Sequence, residues 1–293
     1  MKSRLPPWFK KRTPEPGTMS GMRSLMDGLG LHTICESALC PNIGDCFSQG
    51  TATFLLLGDT CTRNCTFCAV KKGIPGSVDE EEPEHLAEAV RQLGLKYVVI
   101  TSVTRDDLSD GGATHFARTI RRLRAEDRAL TVEVLVPDFA SSPEAVRLVV
   151  DARPDVINHN LETVPRLYPE VRPQADYQRS LELLRLVKEL GGRIITKSGL
   201  MVGLGETRDE MLRVMTDLRE VDCDLITIGQ YLAPSSEHHP VVRFVSPDEF
   251  SEYERIGLEM GFRAVASAPL VRSSFDATHL YARATAGLKQ EHG

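Results

Sequence analysis

Long hydrophobic runs are missing from this sequence of 293 residues. No stretch approaches the roughly 18 consecutive apolar residues that a membrane-spanning helix needs. The basic segment 1–17 lacks the apolar core of a secretory signal. An excess of positive charge is missing as well, since 35 lysines and arginines stand against 41 acidic residues, and this argues against a broad nucleic-acid-binding surface. These absences predict a cytoplasmic protein that binds neither a membrane nor nucleic acid.

Cysteine is concentrated in one part of the chain. Six of the seven cysteines lie between residues 35 and 68, and only Cys223 stands apart, where we interpret it as a small buried hydrophobic residue. Disulfide frameworks usually spread through a small secreted domain, whereas a tight cluster in a chain of this kind points to metal. The cysteines therefore predict a metal centre.

The second cysteine group consists of Cys61, Cys65 and Cys68, spaced C-x3-C-x2-C directly after a predicted strand. Three thiolates on one tight loop can hold three corners of a cubane [4Fe–4S] cluster and leave the fourth iron open. An open metal position is typical of a reactive site, whereas a structural zinc ion is closed by four ligands. The spacing favours an iron–sulfur cluster at these three residues.

The first cysteine group consists of Cys35, Cys40 and Cys46, spaced C-x4-C-x5-C. It too could hold a cluster, with one corner filled from elsewhere in the chain. Two alternatives stay open, namely a zinc site that pools cysteines from both groups and a set of reduced structural cysteines. The spacing favours iron–sulfur less here than in the second group.

Hydrophobic residues make up 41% of the chain and charged residues 26%, which excludes a disordered protein. Short β-branched runs alternate with amphipathic stretches, and this predicts an α/β fold with a parallel sheet and right-handed crossovers, open or closed into a barrel. In a barrel, chemistry lies at the carboxyl ends of the strands. The predicted strands are 54–57, 97–103, 131–136, 155–160, 193–202, 224–231 and 263–267. The predicted helices are 83–93, 112–127, 143–151, 176–190, 208–220 and 247–260.

Several segments carry a resemblance to a known family. A C-x3-C-x2-C group after the first strand of a βα repeat resembles the radical S-adenosylmethionine (SAM) superfamily. The segment CESALCPNIGDCF resembles the lipoyl synthase family within it, and so do TSVTRDDLSDGGA, NHNLETVPRLYP, TKSGLMVGLGET and PLVRSSFDA. The resemblance extends from about residue 6 to residue 277 and so covers nearly the whole chain.

This resemblance implies a fold and its division. It implies a partial (β/α)6-type radical SAM barrel over residues 51–268. An N-terminal extension, 1–50, would carry the cysteines of an auxiliary cluster, and a short C-terminal segment, 269–293, would contain the RSSF motif.

The resemblance also implies an activity, that of a sulfurtransferase. The second cysteine group would bind a [4Fe–4S] cluster whose open iron chelates SAM, and reductive cleavage of SAM would give a 5′-deoxyadenosyl radical. The first group, with Ser274 as an unusual fourth ligand, would hold a second [4Fe–4S] cluster that is consumed as the sulfur donor. Two sulfur atoms would enter at C6 and C8 of a protein-bound octanoyl-lysine. A serine oxygen is a poorer ligand than thiolate for a soft metal, which suits a cluster that is dismantled.

The implied partners follow from this activity. They are octanoylated carrier domains of 2-oxoacid dehydrogenase complexes or the glycine cleavage H protein, a flavodoxin- or ferredoxin-type reductant, and an iron–sulfur carrier protein.

Five further residues are weaker candidates for binding SAM, each with a plain structural alternative. Phe67 would pack near the adenine, or simply in the core. Asn160 and Glu162 would bind ribose hydroxyls, or cap the next helix. Gly203 and Gly205 would admit the nucleotide close to a strand end, or form an ordinary turn. The histidines show no ligand spacing and are interpreted as surface or satisfied core residues.

The chain departs from the family pattern at two positions. Phe275 stands where the family usually has tyrosine, and Thr104 stands where it commonly has aspartate. From the residues alone, Ser273 and Ser274 would be interpreted as a cap of the following helix. Only the resemblance favours Ser274 as a cluster ligand.

Other functions remain as alternatives. Within the radical enzymes these are a methylthiotransferase-like or a biotin-synthase-like activity, against which the tight first cysteine group and the RSSF segment argue. Outside them, the chain would be an iron–sulfur electron carrier or a zinc-stabilised binding module. Roughly 200 residues of repeated strand and helix exceed what either of these needs.

Overall fold

A sheet of mostly parallel strands forms the centre of the molecule, which is described here by a computed structural model covering residues 5–10 and 16–286. In this described part the sheet has eight strands in the order β1-β2-β5-β6-β7-β8-β9-β10, and each pair is parallel except β1 with β2. The strands are β1 His32–Thr33, β2 Thr53–Leu56, β5 Tyr97–Ser102, β6 Thr131–Leu135, β7 Val156–Asn158, β8 Ile195–Val202, β9 Leu225–Gln230 and β10 Ala264–Ala268, and β3 Thr60–Cys61 pairs separately with β4 Lys71–Lys72.

Helices follow most of the parallel strands, and their starts are set by side-chain caps. Ser142, Asp176, Thr207 and Ser246 each accept a hydrogen bond from a backbone N–H three residues further on, which satisfies one of the unpaired donors of the first turn. The helices are α1 Pro16–Gly28, α2 Ile34–Ser37, α3 Ile43–Ser48, α4 Glu82–Gln92, α5 Ala113–Glu126, α6 Pro143–Asp151, α7 Tyr168–Val171, α8 Tyr177–Gly191, α9 Arg208–Glu220, α10 Pro247–Glu259 and α11 Ala277–Ala286.

The predicted α/β fold with a parallel, barrel-type sheet is confirmed. Every predicted strand and helix is present, with bounds that shift by no more than two residues. The largest shortening is in the strand expected over 155–160, which ends at Asn158; the chain then turns, with Glu162 at a φ of 66°. Several elements were not predicted, namely the antiparallel edge strand β1, the short strands β3 and β4, the helices α1 to α3 and the short helix α7.

The sheet is open along one side, with β1 at one edge and β10 at the other in the part of the chain that is described. The segment after β10 crosses to the N-terminal region, where Asn42 Nδ2 donates to the carbonyl of Leu270 at 2.7 Å. Thr53 Oγ1 donates to Ser274 Oγ at 2.8 Å. The two ends of the sheet are therefore joined by side-chain hydrogen bonds.

Helix α11 packs at the opposite end of the sheet from the carboxyl ends of the strands. Its Leu280 and Ala284 form a small apolar cluster with residues that begin strands β7 to β10, including Val156 and Ala264. No helix within the described residues is long and apolar enough to cross a membrane.

Candidate active site

A cavity of about 510 Å³ opens at the carboxyl ends of the parallel strands. Chemistry in parallel α/β sheets is expected at this end. Residues from both cysteine groups line it, together with the C-terminal segment that carries Ser274. The predicted site residues on its wall are Cys35, Cys40, Cys61, Cys65, Phe67, Cys68, Asn160, Glu162 and Ser274.

The loop of the second cysteine group is pinned to its neighbours by backbone hydrogen bonds. Thr62 N donates to the carbonyl of Thr104 at 3.0 Å, and Thr66 N donates to the carbonyl of Val171 at 3.0 Å. Asn64 N donates to Gln174 Oε1 at 2.7 Å. All three contacts lie between Cys61 and Cys68, so the backbone that presents the three thiols is fixed along its length.

The thiols of the second group lie close enough to one another to interact. Burial, together with the neighbouring Cys65 and Cys61, raises the pKa of Cys68 to about 12. Burial raises the pKa of Cys65 as well, against the opposing positive charge of Arg172. Without metal the Cys65 and Cys68 thiols are neutral at pH 7, and a bound metal would displace their protons.

A buried ion pair anchors the same loop to the segment that follows strand β6. The Arg63 guanidinium donates to both carboxylate oxygens of Asp138, at 2.9 and 2.7 Å, and also to Asp106. Against burial, which alone would raise it, Arg63 lowers the pKa of Asp138 to about 2. Arg63 follows Cys61 by two residues, so the pair fixes the loop beside its first thiol.

The first cysteine group lies on the short helices α2 and α3 and the turn between them. Cys35 is buried in α2, Cys46 is in α3, and Cys40 lies between. Burial raises the pKa of Cys35 to about 12, with Cys40 and Cys46 adding to the rise. Cys46 interacts with Cys35 but is not part of the cavity wall in the residues described.

Ser274 lies next to the first group rather than at a helix start. Helix α11 begins at Ala277, so Asp276 occupies the position that would cap it. The interpretation of Ser274 as a helix cap is therefore wrong. Its hydroxyl accepts the hydrogen bond from Thr53 and lines the cavity with Cys35 and Cys40.

Three polar residues of the cavity wall carry buried side-chain atoms without a protein partner in the described chain. His159 Nδ1 lies 2.8 Å from the carbonyl of Val136, which only accepts, so Nδ1 carries the proton and Nε2 presents a lone pair. Asn160 Nδ2 donates to Glu162 Oε1 at 3.0 Å. Within the described chain, His159 Nε2, Asn160 Oδ1 and Arg172 Nε have no hydrogen-bond partner although all three are buried. Such groups call for a ligand that offers both donors and acceptors.

Gly203 and Gly205 lie outside the cavity wall of the part described. Both have positive φ, 95° and 113°, and their N–H groups donate to the carboxylate of Glu206 at 2.7 and 3.1 Å. These donors are occupied within a turn, so the geometry supports the plain structural alternative for the two glycines.

Sequence reasoning missed three contributors to the site. His159 belongs to the NHNLET segment but was interpreted as a surface or satisfied core residue. Arg172 is buried, donates to the carbonyls of Asn160 and Leu161 at 3.0 Å, and leaves Nε unpaired within the chain as described. Arg272 interacts electrostatically with both Cys40 and Glu162, and burial lowers its pKa. A lone basic residue or histidine carries no local signal of this kind, because its partners come from distant segments.

The donor sets fit cluster binding. Each iron of a cubane takes a single protein ligand, so three thiols surround the cluster and need not converge on one point. Among residues 5–10 and 16–286, no three histidine, cysteine, aspartate or glutamate side chains converge on a site for a single metal ion. The three thiols of the second group interact with one another, and in the first group Cys35 interacts with both Cys40 and Cys46. Both groups contribute thiols to the wall of the shared cavity.

Comparisons with known proteins place the fold and the site in a class. The family profile described as the radical SAM superfamily matches residues 55–218. The structure of methylornithine synthase superposes with a TM-score of 0.53 and 16% identity, over 83% of this chain and 74% of that one, which is a likeness of fold alone. The chain is a member of the radical SAM superfamily.

Full-length relatives narrow the class. The lipoyl synthase of Caldanaerobacter subterraneus subsp. tengcongensis is 58% identical over 94% of this chain and 97% of that protein. The lipoyl synthase of Rubrobacter xylanophilus is 56% identical over 93% of this chain and 85% of that protein. The chain belongs to the lipoyl synthase family.

Proposed function

We propose that this chain inserts two sulfur atoms, at C6 and C8, into an octanoyl chain carried on a protein lysine, and that the two cysteine groups divide the work. The observation that carries the proposal is the shared cavity, whose wall contains thiols of both groups and Ser274. A substrate carbon held there is within reach of a site that binds SAM and of a site that holds sulfur.

The second group, on its pinned loop, would hold the cluster that chelates SAM. The buried positive charge of Arg172 offsets the negative charge of the thiolates beside Cys65. Asn160, Glu162 and His159 offer acceptors to the hydroxyl and amino groups of the nucleoside, and Phe67 gives it an apolar face. When bound, the cluster at this group supplies the electron that cleaves SAM, and the cluster at the first group supplies sulfur.

The first group and Ser274 would hold the auxiliary cluster. A ligand set of three thiolates and one serine oxygen suits a cluster that is taken apart, because the oxygen is the weaker ligand for iron. Thiolates at every corner would suit a permanent electron carrier better. Residues 1–50 and 269–293 would therefore act together as the sulfur-donating part, and residues 51–268 as the radical-generating barrel.

The middle of the cavity suits a saturated acyl chain. The cavity wall includes the apolar side chains of Leu55, Val103, Leu135, Leu200 and Val271. Methylene groups are favoured on such a wall by about 0.8 kcal/mol for each one buried. This supports an octanoyl group as the part of the substrate that enters, while the carrier protein stays outside.

The partners proposed are octanoylated lipoyl carrier domains or the glycine cleavage H protein, a flavodoxin- or ferredoxin-type reductant, and an iron–sulfur carrier that rebuilds the donor site. All of these are proteins of the cytoplasm or its equivalent, and we propose the same location for this chain.

The test is turnover on a defined substrate. The protein is reconstituted anaerobically with iron and sulfide, reduced with dithionite, and given SAM and a peptide that contains octanoyl-lysine. We expect 5′-deoxyadenosine and a peptide in which two sulfur atoms replace two hydrogens, detected by mass spectrometry. A methylthio product, or no cleavage of SAM, would overturn the proposal.

A further inference from the structure

Thr53 is the residue that links the two parts of the proposed auxiliary site. It begins strand β2 and is 5% exposed. Its hydroxyl donates to Ser274 Oγ at 2.8 Å. Its backbone N–H and its hydroxyl also contact the Cys35 thiol. One side chain therefore contacts a thiol of the first group and the serine.

Ser274 itself lies in a segment with little regular structure to hold it. Strand β10 ends at Ala268 and helix α11 begins at Ala277, so the serine lies in the turns between them. The turn is closed by Phe275 N, which donates to the carbonyl of Arg272 at 3.0 Å, and this fixes the backbone rather than the hydroxyl. The hydrogen bond from Thr53 fixes the position of the oxygen.

Thr53, by contrast, is rigid. It pairs with Val99 in the parallel ladder between β2 and β5, and a β-branched side chain in a strand has a restricted χ1 angle. Its hydroxyl is therefore held in place before any ligand binds. The rigid Thr53 hydroxyl therefore positions the oxygen of Ser274.

We propose that Thr53 is a positioning residue that holds the Ser274 oxygen at the fourth corner of the auxiliary site, and that it thereby sets how readily this site releases iron. Thr53 is not itself a ligand. The inference rests on the proposed role of Ser274, and Thr53 acts through that residue. Removal of its hydroxyl would free the serine to leave the site.

The test isolates the auxiliary site in the full chain. Cys61, Cys65 and Cys68 are changed to Ala, so that the first group alone is reconstituted with iron and sulfide, and iron release to a ferrous chelator is followed by absorbance. Thr53→Val keeps the shape and removes the hydroxyl, and Thr53→Ser keeps the hydroxyl. Because a hydrogen bond contributes about 1 kcal/mol, we expect Thr53→Val to release iron about fivefold faster than its parent, with Thr53→Ser close to the parent.

A double-mutant cycle separates positioning from a general loss of structure. Ser274→Ala also accelerates release, and adding Thr53→Val to it has no further effect if Thr53 acts through the serine. A general destabilisation would instead accelerate release in both backgrounds. The inference is overturned if Thr53→Val behaves as its parent, if the two effects multiply, or if Thr53→Ser is as fast as Thr53→Val.

The same cycle distinguishes this inference from the proposed function. If Ser274→Ala leaves iron release unchanged, the serine is not a ligand, and both the ligand assignment and the inference fail. If Ser274→Ala accelerates release and Thr53→Val does not, only the inference fails.

Discussion

The two cysteine groups are held in different ways. The second group lies on one loop whose backbone is bonded to three neighbouring segments and whose Arg63 is buried against Asp138. The first group lies on two short helices joined to the C-terminal segment through side-chain hydrogen bonds of Asn42 and Thr53. Backbone anchoring suits a site that must return unchanged after each turnover. Side-chain anchoring suits a site that gives up its contents and is refilled.

The largest effect is expected from single cysteines, one in each group. Cys65→Ala should abolish SAM cleavage, because it removes a proposed ligand of the cluster that would bind SAM. Cys40→Ala should stop sulfur insertion and leave some uncoupled SAM cleavage. Quantifying 5′-deoxyadenosine and the sulfur-containing peptide in the same reaction checks both. Equal loss of both activities in Cys40→Ala would contradict the division of work and would make the first group a requirement for folding.

The anchoring of the second group is tested by Arg63→Met. Removing one partner of a buried ion pair costs about 3 kcal/mol, because Asp138 stays charged and loses its bidentate partner, with only the longer contact to Arg179 at 3.5 Å remaining. The free energy of unfolding, measured with urea, should fall by that amount at pH 7.

This loss should depend on pH in a defined direction. In the parent protein, Asp138 contributes stability above its ordinary pKa of 3.8, and this is lost as the pH falls through its lowered value of about 2. The difference in the free energy of unfolding between the parent and Arg63→Met should therefore become smaller below about pH 4. Arg91→Met is the matched control, since Arg91 makes an exposed pair with Glu88, and it should change stability little at any pH. A difference that becomes larger in acid would contradict the account.

A smaller effect is expected when His159 is replaced, since its buried Nε2 has no hydrogen-bond partner within the described residues. His159→Leu removes the Nε2 lone pair, and the affinity for SAM, measured by calorimetry on the reconstituted protein, should fall about fivefold. Burial lowers the pKa of His159 to about 4, so the ring is neutral and the fall should be the same between pH 6 and pH 9. His279→Leu is the control, because the His279 side chain is 79% exposed. Equal affinity in His159→Leu and the parent would remove this residue from the site.

The smallest effect on the site is expected at the turn of Gly203 and Gly205. Gly205→Ala places a side chain at a φ of 113° and should lower the free energy of unfolding by about 1 kcal/mol. Its affinity for SAM should not change, because the glycine N–H groups are bonded to Glu206. A clear loss of affinity at unchanged stability would restore the two glycines as part of the nucleotide site.

The sequence predicts those parts of the fold that depend on local pattern. Helix α8 is an example, since its apolar face repeats along the chain and Asp176 caps it as expected. Helices α2 and α3 were not predicted, because segments this short form only when tertiary contacts hold them. Strand β1, with two residues, is likewise defined by its partner β2.

In the candidate site, too, the local sequence predicts some residues and not others. The spacing of the cysteines predicts that they bind metal, and the family resemblance predicts Ser274 as a further ligand. The contacts that position them, such as Arg63 with Asp138 and Thr53 with Ser274, join residues far apart in the chain. Nothing in the local sequence marks these pairs, since an arginine or a threonine alone fits many environments.

The most direct test of the division between a permanent and a consumed site is a count of iron and acid-labile sulfide per chain, before and after a single turnover without added sulfide. The account predicts about eight of each before turnover and about four of each in the protein afterwards, held by Cys61, Cys65 and Cys68. Retention of all the iron and sulfide after product has formed would contradict it.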